Sequence, residues 1–179
     1  PQKDSVDWDF PATVFDIVEM GRYGNKNLFK RINKKDKKIA TEALIKVKMF
    51  EFADRHVSEL SGGQQQRVFI ARALAQEADI YLMDEPFSGV DMASEKTIVD
   101  ILTELQKEGK TIFVVHHNLQ TAREYFDWMI LINKRIVASG PIADVFTPEL
   151  LQKTYDGNLT TPEQIGQIIK NQQYPIRES

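Results

Sequence analysis

Cysteine does not occur anywhere in the 179 residues. A disulfide framework, a thiolate metal site and a cysteine nucleophile are therefore excluded. An excess of one charge is also missing: 23 Lys and Arg stand against 26 Asp and Glu, a net charge of -3. A dedicated nucleic-acid binder normally carries a strong basic excess, so no nucleic-acid partner is expected. No stretch approaches the roughly 20 consecutive apolar residues that span a bilayer. The chain does not open with the charged and apolar regions of a secretory signal. Internal repeats and low-complexity segments are absent too. What is present is ordinary for a globular chain, with 42% apolar and 27% charged residues, 9 Gly and 7 Pro. There is enough of it for one sizeable core. The first residue is Pro1 and not Met, so the start has been removed or the chain is a piece of something longer.

The opening, Pro1 to Phe10, is acidic and aromatic and reads as a loop. Pro11 suits the first position of a helix along which Val14, Ile17, Val18 and Gly21 follow at helical spacing. Gly24 and the asparagines between Arg22 and Asn27 mark a break. Between Lys30 and Lys38, six of nine residues are Lys or Arg. This run reads as a solvated loop and helix start, with binding to nucleic acid or lipid head groups as the alternative. Asn33 can cap that helix, with Asp36 in its first turn and Ile39, Ala43 and Val47 along one face. A further helix is predicted over Gln64 to Gln76. Ile80-Tyr81-Leu82-Met83 is then a short apolar run ending in Asp84-Glu85-Pro86, predicted as a strand buried on both faces. Ile98, Ile101, Leu102 and Leu105 have the spacing of an amphipathic helix, closed by Gly109. Thr111 to Val115 is another apolar, β-branched strand. Leu119 to Phe126 reads as a helix, and Met129 to Ile132 with Arg135 to Ala138 as a hairpin turning at Asn133-Lys134. From Pro148 the tail is short helix and polar residues. Alternating strands and helices with apolar strands predict a parallel α/β sheet covered on both faces, whose chemistry sits at the carboxyl ends of the strands.

Three features lie where chemistry would be found. Asp84 and Glu85 are adjacent carboxylates at the end of an apolar strand, an expensive placement unless they are paired or hydrated around a metal. They read equally as a strand emerging into an acidic loop. In nucleotide hydrolases the first such carboxylate holds Mg²⁺ and the second polarises the attacking water. Leu60-Ser61-Gly62-Gly63-Gln64 places a capping serine and two glycines at a helix start. A lone motif of this kind is commonly a flexible turn. Here the free amides and the helix dipole would suit a phosphate. His117 follows the second strand, on the rim shared by Asp84 and Glu85, while His116 alternates to the other face. Three histidines do not make a transition-metal cluster.

Their order and spacing carry a resemblance. Leu60 to Gln64, followed by Gln65-Gln66-Arg67, resembles the signature motif of ABC-transporter ATPases. Ile80 to Glu85 resembles their Walker B strand, Ser88-Gly89-Val90-Asp91 their D-loop, and His117-Asn118-Leu119 their switch histidine. Pro1-Gln2 is similar to the entry of their Q-loop, so the likeness runs from residue 1 to about residue 140. It implies an α/β fold, a P-loop NTPase-like parallel sheet core with an inserted helical subdomain. The boundaries it implies are a helical subdomain over about 11–78, a RecA-like core over about 79–147 and a C-terminal tail over 148–179. It implies ATP and Mg²⁺ as cofactors: Gln2 and Asp84 at the metal, Glu85 as general base and His117 on the γ-phosphate. Ser61, Gly62, Gly63 and Gln64 would bind the γ-phosphate of ATP held on a second copy, and Asp91 would cross that dimer interface. The helical subdomain would dock a membrane permease at the cytoplasmic face, served indirectly by an extracytoplasmic substrate-binding protein.

The likeness has a gap. The family's phosphate-binding loop, GxxxxGK[ST], precedes the Q-loop, and nothing precedes Pro1. Gly109-Lys110-Thr111 is no substitute, because residue 104 is Glu and the tripeptide joins helix to strand, the reverse of what phosphate amides require. The chain alone is expected to be a partial domain that binds ATP poorly and hydrolyses none. Asp7-Trp8-Asp9-Phe10-Pro11 and Val18-Glu19-Met20-Gly21-Arg22-Tyr23-Gly24 resemble ATPases of manganese, zinc and iron importers, as does Ala138 to Thr147. Siderophore and cobalamin importers share part of that pattern. A non-catalytic module that completes a partner's site is the other reading.

Overall fold

The structure is a computed structural model that describes residues 11–25 and 32–155. The opening loop, Gln2, part of the basic run and the tail beyond Tyr155 lie outside the described residues. Two units are distinguished, one running to Val115 and one beginning at His116.

The first unit starts with a helix that opens later than the sequence suggests. Thr13, not Pro11, opens α1 (Val14–Glu19). Its hydroxyl accepts from the Asp16 amide at 3.1 Å, and the Asp16 carboxylate accepts from the Thr13 amide at 2.9 Å. This reciprocal arrangement satisfies two of the amides that a helix start leaves open, which proline at the first position cannot do. Gly21 falls in the 3₁₀ turn Met20–Asn25 that follows. Asn33 caps α2 (Lys34–Lys46) in the same reciprocal way with Asp36, and Ile39, Ala40, Ala43 and Leu44 form its buried stripe. Lys34, Lys35, Lys37 and Lys38 stay exposed, as a solvated helix start requires. Two short 3₁₀ turns, Phe50–Phe52 and Val57–Glu59, lead to α3 (Gly62–Leu74).

β1 (Ile80–Asp84) and β2 (Thr111–Val115) pair in parallel, joined through α4 (Met92–Lys107). Ile98, Ile101, Leu102 and Leu105 are the buried face of α4, as their spacing predicts. Gly109, at φ +82°, ends the segment after it. The core of this unit gathers Val14, Val18, Leu44, Val47, Met49, Val68 and Ile98, all with no exposure. Each such side chain contributes about 1.5–3 kcal/mol by leaving water. Burial of the strands on both faces is not what the structure shows. Tyr81, Met83, Ile112 and Val114 pack into the core. Ile80, Leu82, Phe113 and Val115, on the opposite face, are 59%, 80%, 48% and 50% exposed. An apolar run reports that a strand can be covered, not that a covering layer is there.

The second unit contains α5 (Leu119–Tyr125), β3 (Trp128–Asn133), β4 (Arg135–Pro141), α6 (Ile142–Val145) and α7 (Pro148–Thr154). β3 and β4 form the expected antiparallel hairpin, with Lys134 at φ +56° in the turn and a register shift at Leu131/Ile132. Ala122, Leu131, Val145, Phe146 and Leu151 make its core. The sheets are thus one parallel pair and one antiparallel pair among the described residues.

Candidate functional site

Ser61 is the N-cap of α3, in extended backbone at ψ 159°. Its hydroxyl accepts from the Gln64 amide at 3.4 Å, and its own amide donates to Gln64 Oε1 at 2.8 Å. The Gln65 amide is taken by the Ser61 carbonyl at 2.9 Å. That leaves the Gly62 and Gly63 amides without an intrahelical acceptor, at the positive end of a 13-residue helix. An anion is the natural complement of such a pair. Two antiparallel hydrogen bonds tie the segment that leads into the loop to the start of α1. The Val57 amide donates to the Ala12 carbonyl at 3.2 Å and the Val14 amide to the Arg55 carbonyl at 2.9 Å.

Asp84 closes β1 and Glu85 follows it, both exposed. They therefore escape the burial cost that adjacency at a strand end threatens. Glu85 has φ +45°, a left-handed conformation uncommon for a residue with a side chain. Its amide donates to the Val115 carbonyl at 3.1 Å and its carbonyl accepts from Ser88 at 3.0 Å. Backbone strain at a carboxylate on the carboxyl rim of a parallel pair is a common mark of a working site. No group of three or more acids or histidines able to cage a metal occurs among the described residues. One exposed carboxylate at Asp84 nonetheless fits Mg²⁺, which binds through one or two carboxylates with phosphate oxygens and water completing its shell.

Asp91 caps α4, accepting from the Ser94 amide and the Ser94 hydroxyl, each at 2.9 Å. Those two bonds hold its carboxyl below the usual carboxylate value. Ser61, Gly62, Gly63 and Gln64 are brought together with Asp91, since Gly63 faces Asp91 and Ser94 directly. This proximity has no signal in the sequence, where 28 positions separate the two. His116 and His117 both lie beyond the last residue of β2, in the unit that His116 begins, so strand alternation governs neither. His116 instead pairs with Thr121 Oγ1 at 2.8 Å and packs its ring edge-on to Phe126 at 5.4 Å. Gln2 lies outside the described residues.

A helix start with two free amides and a carboxylate-bearing strand end, on one α/β unit, fit a nucleotide-binding type of domain. Residues 5–88 match the family described as ABC transporter. The manganese transport system ATP-binding protein MntB of Bacillus subtilis (strain 168) is 59% identical over 160 residues, covering 89% of this chain and 64% of that protein. The zinc transport system ATP-binding protein TroB of Treponema pallidum (strain Nichols) is 54% identical over 161 residues, covering 90% and 60% respectively. An inward-facing structure of a metal-chelate type ABC transporter superposes with a TM-score of 0.77 at 31% identity, over 83% of this chain and 59% of that one. The chain belongs to the ABC transporter family, among its ATP-binding proteins. It spans less than two thirds of the length of the two relatives named.

Proposed function

We propose that the whole protein is the ATP-hydrolysing subunit that drives import of manganese or zinc ions through a membrane permease. The observation that carries this is the start of α3 with its free Gly62 and Gly63 amides, Gly63 packed beside Ser94 and Asp91, on the same unit as the Asp84-Glu85 strand end with its left-handed Glu85. The identities to manganese and zinc transport proteins support the cargo. No residue here would touch the ion. Import of a metal chelate, favoured by the structural similarity at 31% identity, is the second reading and ranks below the free ion on identity.

Asp84 would hold Mg²⁺, and Glu85 would take the proton of the attacking water on its carboxylate. Mg²⁺ held there would offset the charge that develops on the phosphates. Ser61, Gly62, Gly63 and Gln64 would receive the γ-phosphate of ATP carried by a second copy, with Asp91 crossing the interface. Gln2 at the metal and His117 at the γ-phosphate are assigned by the family resemblance alone. Residues 11–78 would be the helical subdomain docked on the permease, 79–147 the core and 148–179 the tail. No helix among the described residues is long and apolar enough to cross a membrane, which suits a peripheral subunit at the cytoplasmic face. An extracytoplasmic binding protein would deliver the ion to the permease.

Reconstitution of the full-length protein with its permease in lipid vesicles tests this reading. ATP-dependent accumulation of Mn²⁺ or Zn²⁺ is expected. ATP turnover with neither ion transported would overturn the cargo, and no turnover would overturn the function. The 179-residue chain alone is expected to show no stoichiometric, Mg²⁺-dependent turnover.

A further inference from the structure

The second glycine of the α3 start is buried against α4. A β-carbon placed on Gly63 would lie 2.3 Å from Ser94 Oγ, 2.6 Å from Ser94 Cβ and 3.4 Å from Asp91 Oδ2. Contacts under about 3 Å cannot persist in a close-packed interior without something shifting. Ser94 itself is only 7% exposed. Its methylene and hydroxyl fill the space in front of Gly63, while its amide and hydroxyl hold both oxygens of Asp91. One serine therefore touches the phosphate-suited helix start on one side and grips the exposed Asp91 on the other.

We propose that Ser94 is a positioning residue that locks the Ser61–Gln64 helix start to Asp91, so that the two segments move as one body. The inference rests on the functional reading above, in which both segments meet the second subunit. A γ-phosphate drawn onto the Gly62 and Gly63 amides pushes or pulls the helix start. Ser94 transmits that displacement to the Asp91 carboxylate, because no free volume lies between Gly63 and Ser94 to absorb it. Asp91 then reports occupancy of one nucleotide site at the interface it crosses. Glycine at position 63 is on this account a demand of Ser94 as much as of the phosphate.

The space holds one β-carbon side chain, which makes the joint testable by exchange. Four full-length proteins are compared in a Glu85→Gln background: the parent, Gly63→Ala, Ser94→Gly and the double variant. Each is melted without nucleotide, and its ATP-driven dimerisation is measured by analytical ultracentrifugation. Gly63→Ala is expected to lower the melting midpoint and to weaken dimerisation about tenfold, a coupling typical of residues in direct contact. Adding Ser94→Gly should recover most of the melting loss and bring dimerisation to within about threefold of Ser94→Gly alone. A double variant no better than Gly63→Ala in either measurement would overturn the joint. Ser94→Ala keeps the β-carbon and removes the hydroxyl from Asp91; it should melt slightly below the parent and well above Gly63→Ala yet dimerise more weakly, and Ser94→Thr should restore dimerisation. Unchanged dimerisation in Ser94→Ala would overturn the positioning role. A parent that fails to dimerise with ATP would overturn the functional reading and with it that role, whereas the nucleotide-free melting cycle would still decide the packing.

Discussion

Glu85 combines an exposed carboxylate with a left-handed backbone at φ +45°. Such strain costs of order 1–3 kcal/mol, while replacing a residue by glycine costs about 0.5–1 kcal/mol of added unfolded-state freedom. Relief should win. Glu85→Gly is expected to raise unfolding free energy by about 1 kcal/mol in urea titration, at the expense of the carboxylate. A net loss of stability would show that the strain is not there. Asp91 offers a pH test. The Ser94 amide and hydroxyl depress its carboxyl, so their stabilisation is present above the unfolded value of about 3.9 and is lost as pH falls through the lower folded value. Ser94→Ala should move the Asp91 titration upward, as followed by carboxyl NMR. An unchanged midpoint would contradict the hydrogen-bond assignment.

The buried Arg22 ties three elements of the first unit together. Its guanidinium meets Asp36 Oδ1 of α2 at 3.4 Å, Glu77 Oε2 at 2.9 Å and the Ala75 carbonyl past the end of α3. Asp36→Ala removes one of the two counter-charges of Arg22 and the reciprocal cap of Asn33 together, and should cost about 1–3 kcal/mol in denaturant unfolding. The strands make a sharper contrast. Ile98→Ala, at no exposure, should cost about 2–5 kcal/mol, whereas Leu82→Ala, at 80% exposure, should stay within about 0.5 kcal/mol in the 179-residue chain. Comparable losses at both would show that β1 is covered on both faces. Local chemistry made the caps at Asn33 and Ser61 and the face of α4 legible from sequence, because each is decided by residues a turn or two apart. Thr13 was masked by Pro11, a more familiar helix opener. The exposed face of β1 and β2 was not legible, since a strand's apolar run does not say which layer lies on it. Nor was the Gly63–Ser94 joint, which is made by packing between distant segments.

At the scale of the molecule, the candidate phosphate site, the exposed Asp84 and Asp91 all belong to the first unit, and His117 belongs to the second, which begins at His116. The resemblance was readable because motif order survives in one dimension while the geometry does not. Identity to metal-transport ATP-binding proteins extends across nine tenths of the chain, although the chain spans less than two thirds of those proteins. On the function proposed above, turnover would belong to the whole protein, with Glu85 as its general base. The most direct measurement is steady-state ATP hydrolysis by the full-length protein with and without Glu85→Gln. Wild type should show Mg²⁺-dependent hydrolysis, and Glu85→Gln should lower it by about a hundredfold or more while ATP-driven dimerisation persists. Hydrolysis by Glu85→Gln at the wild-type rate would contradict the account.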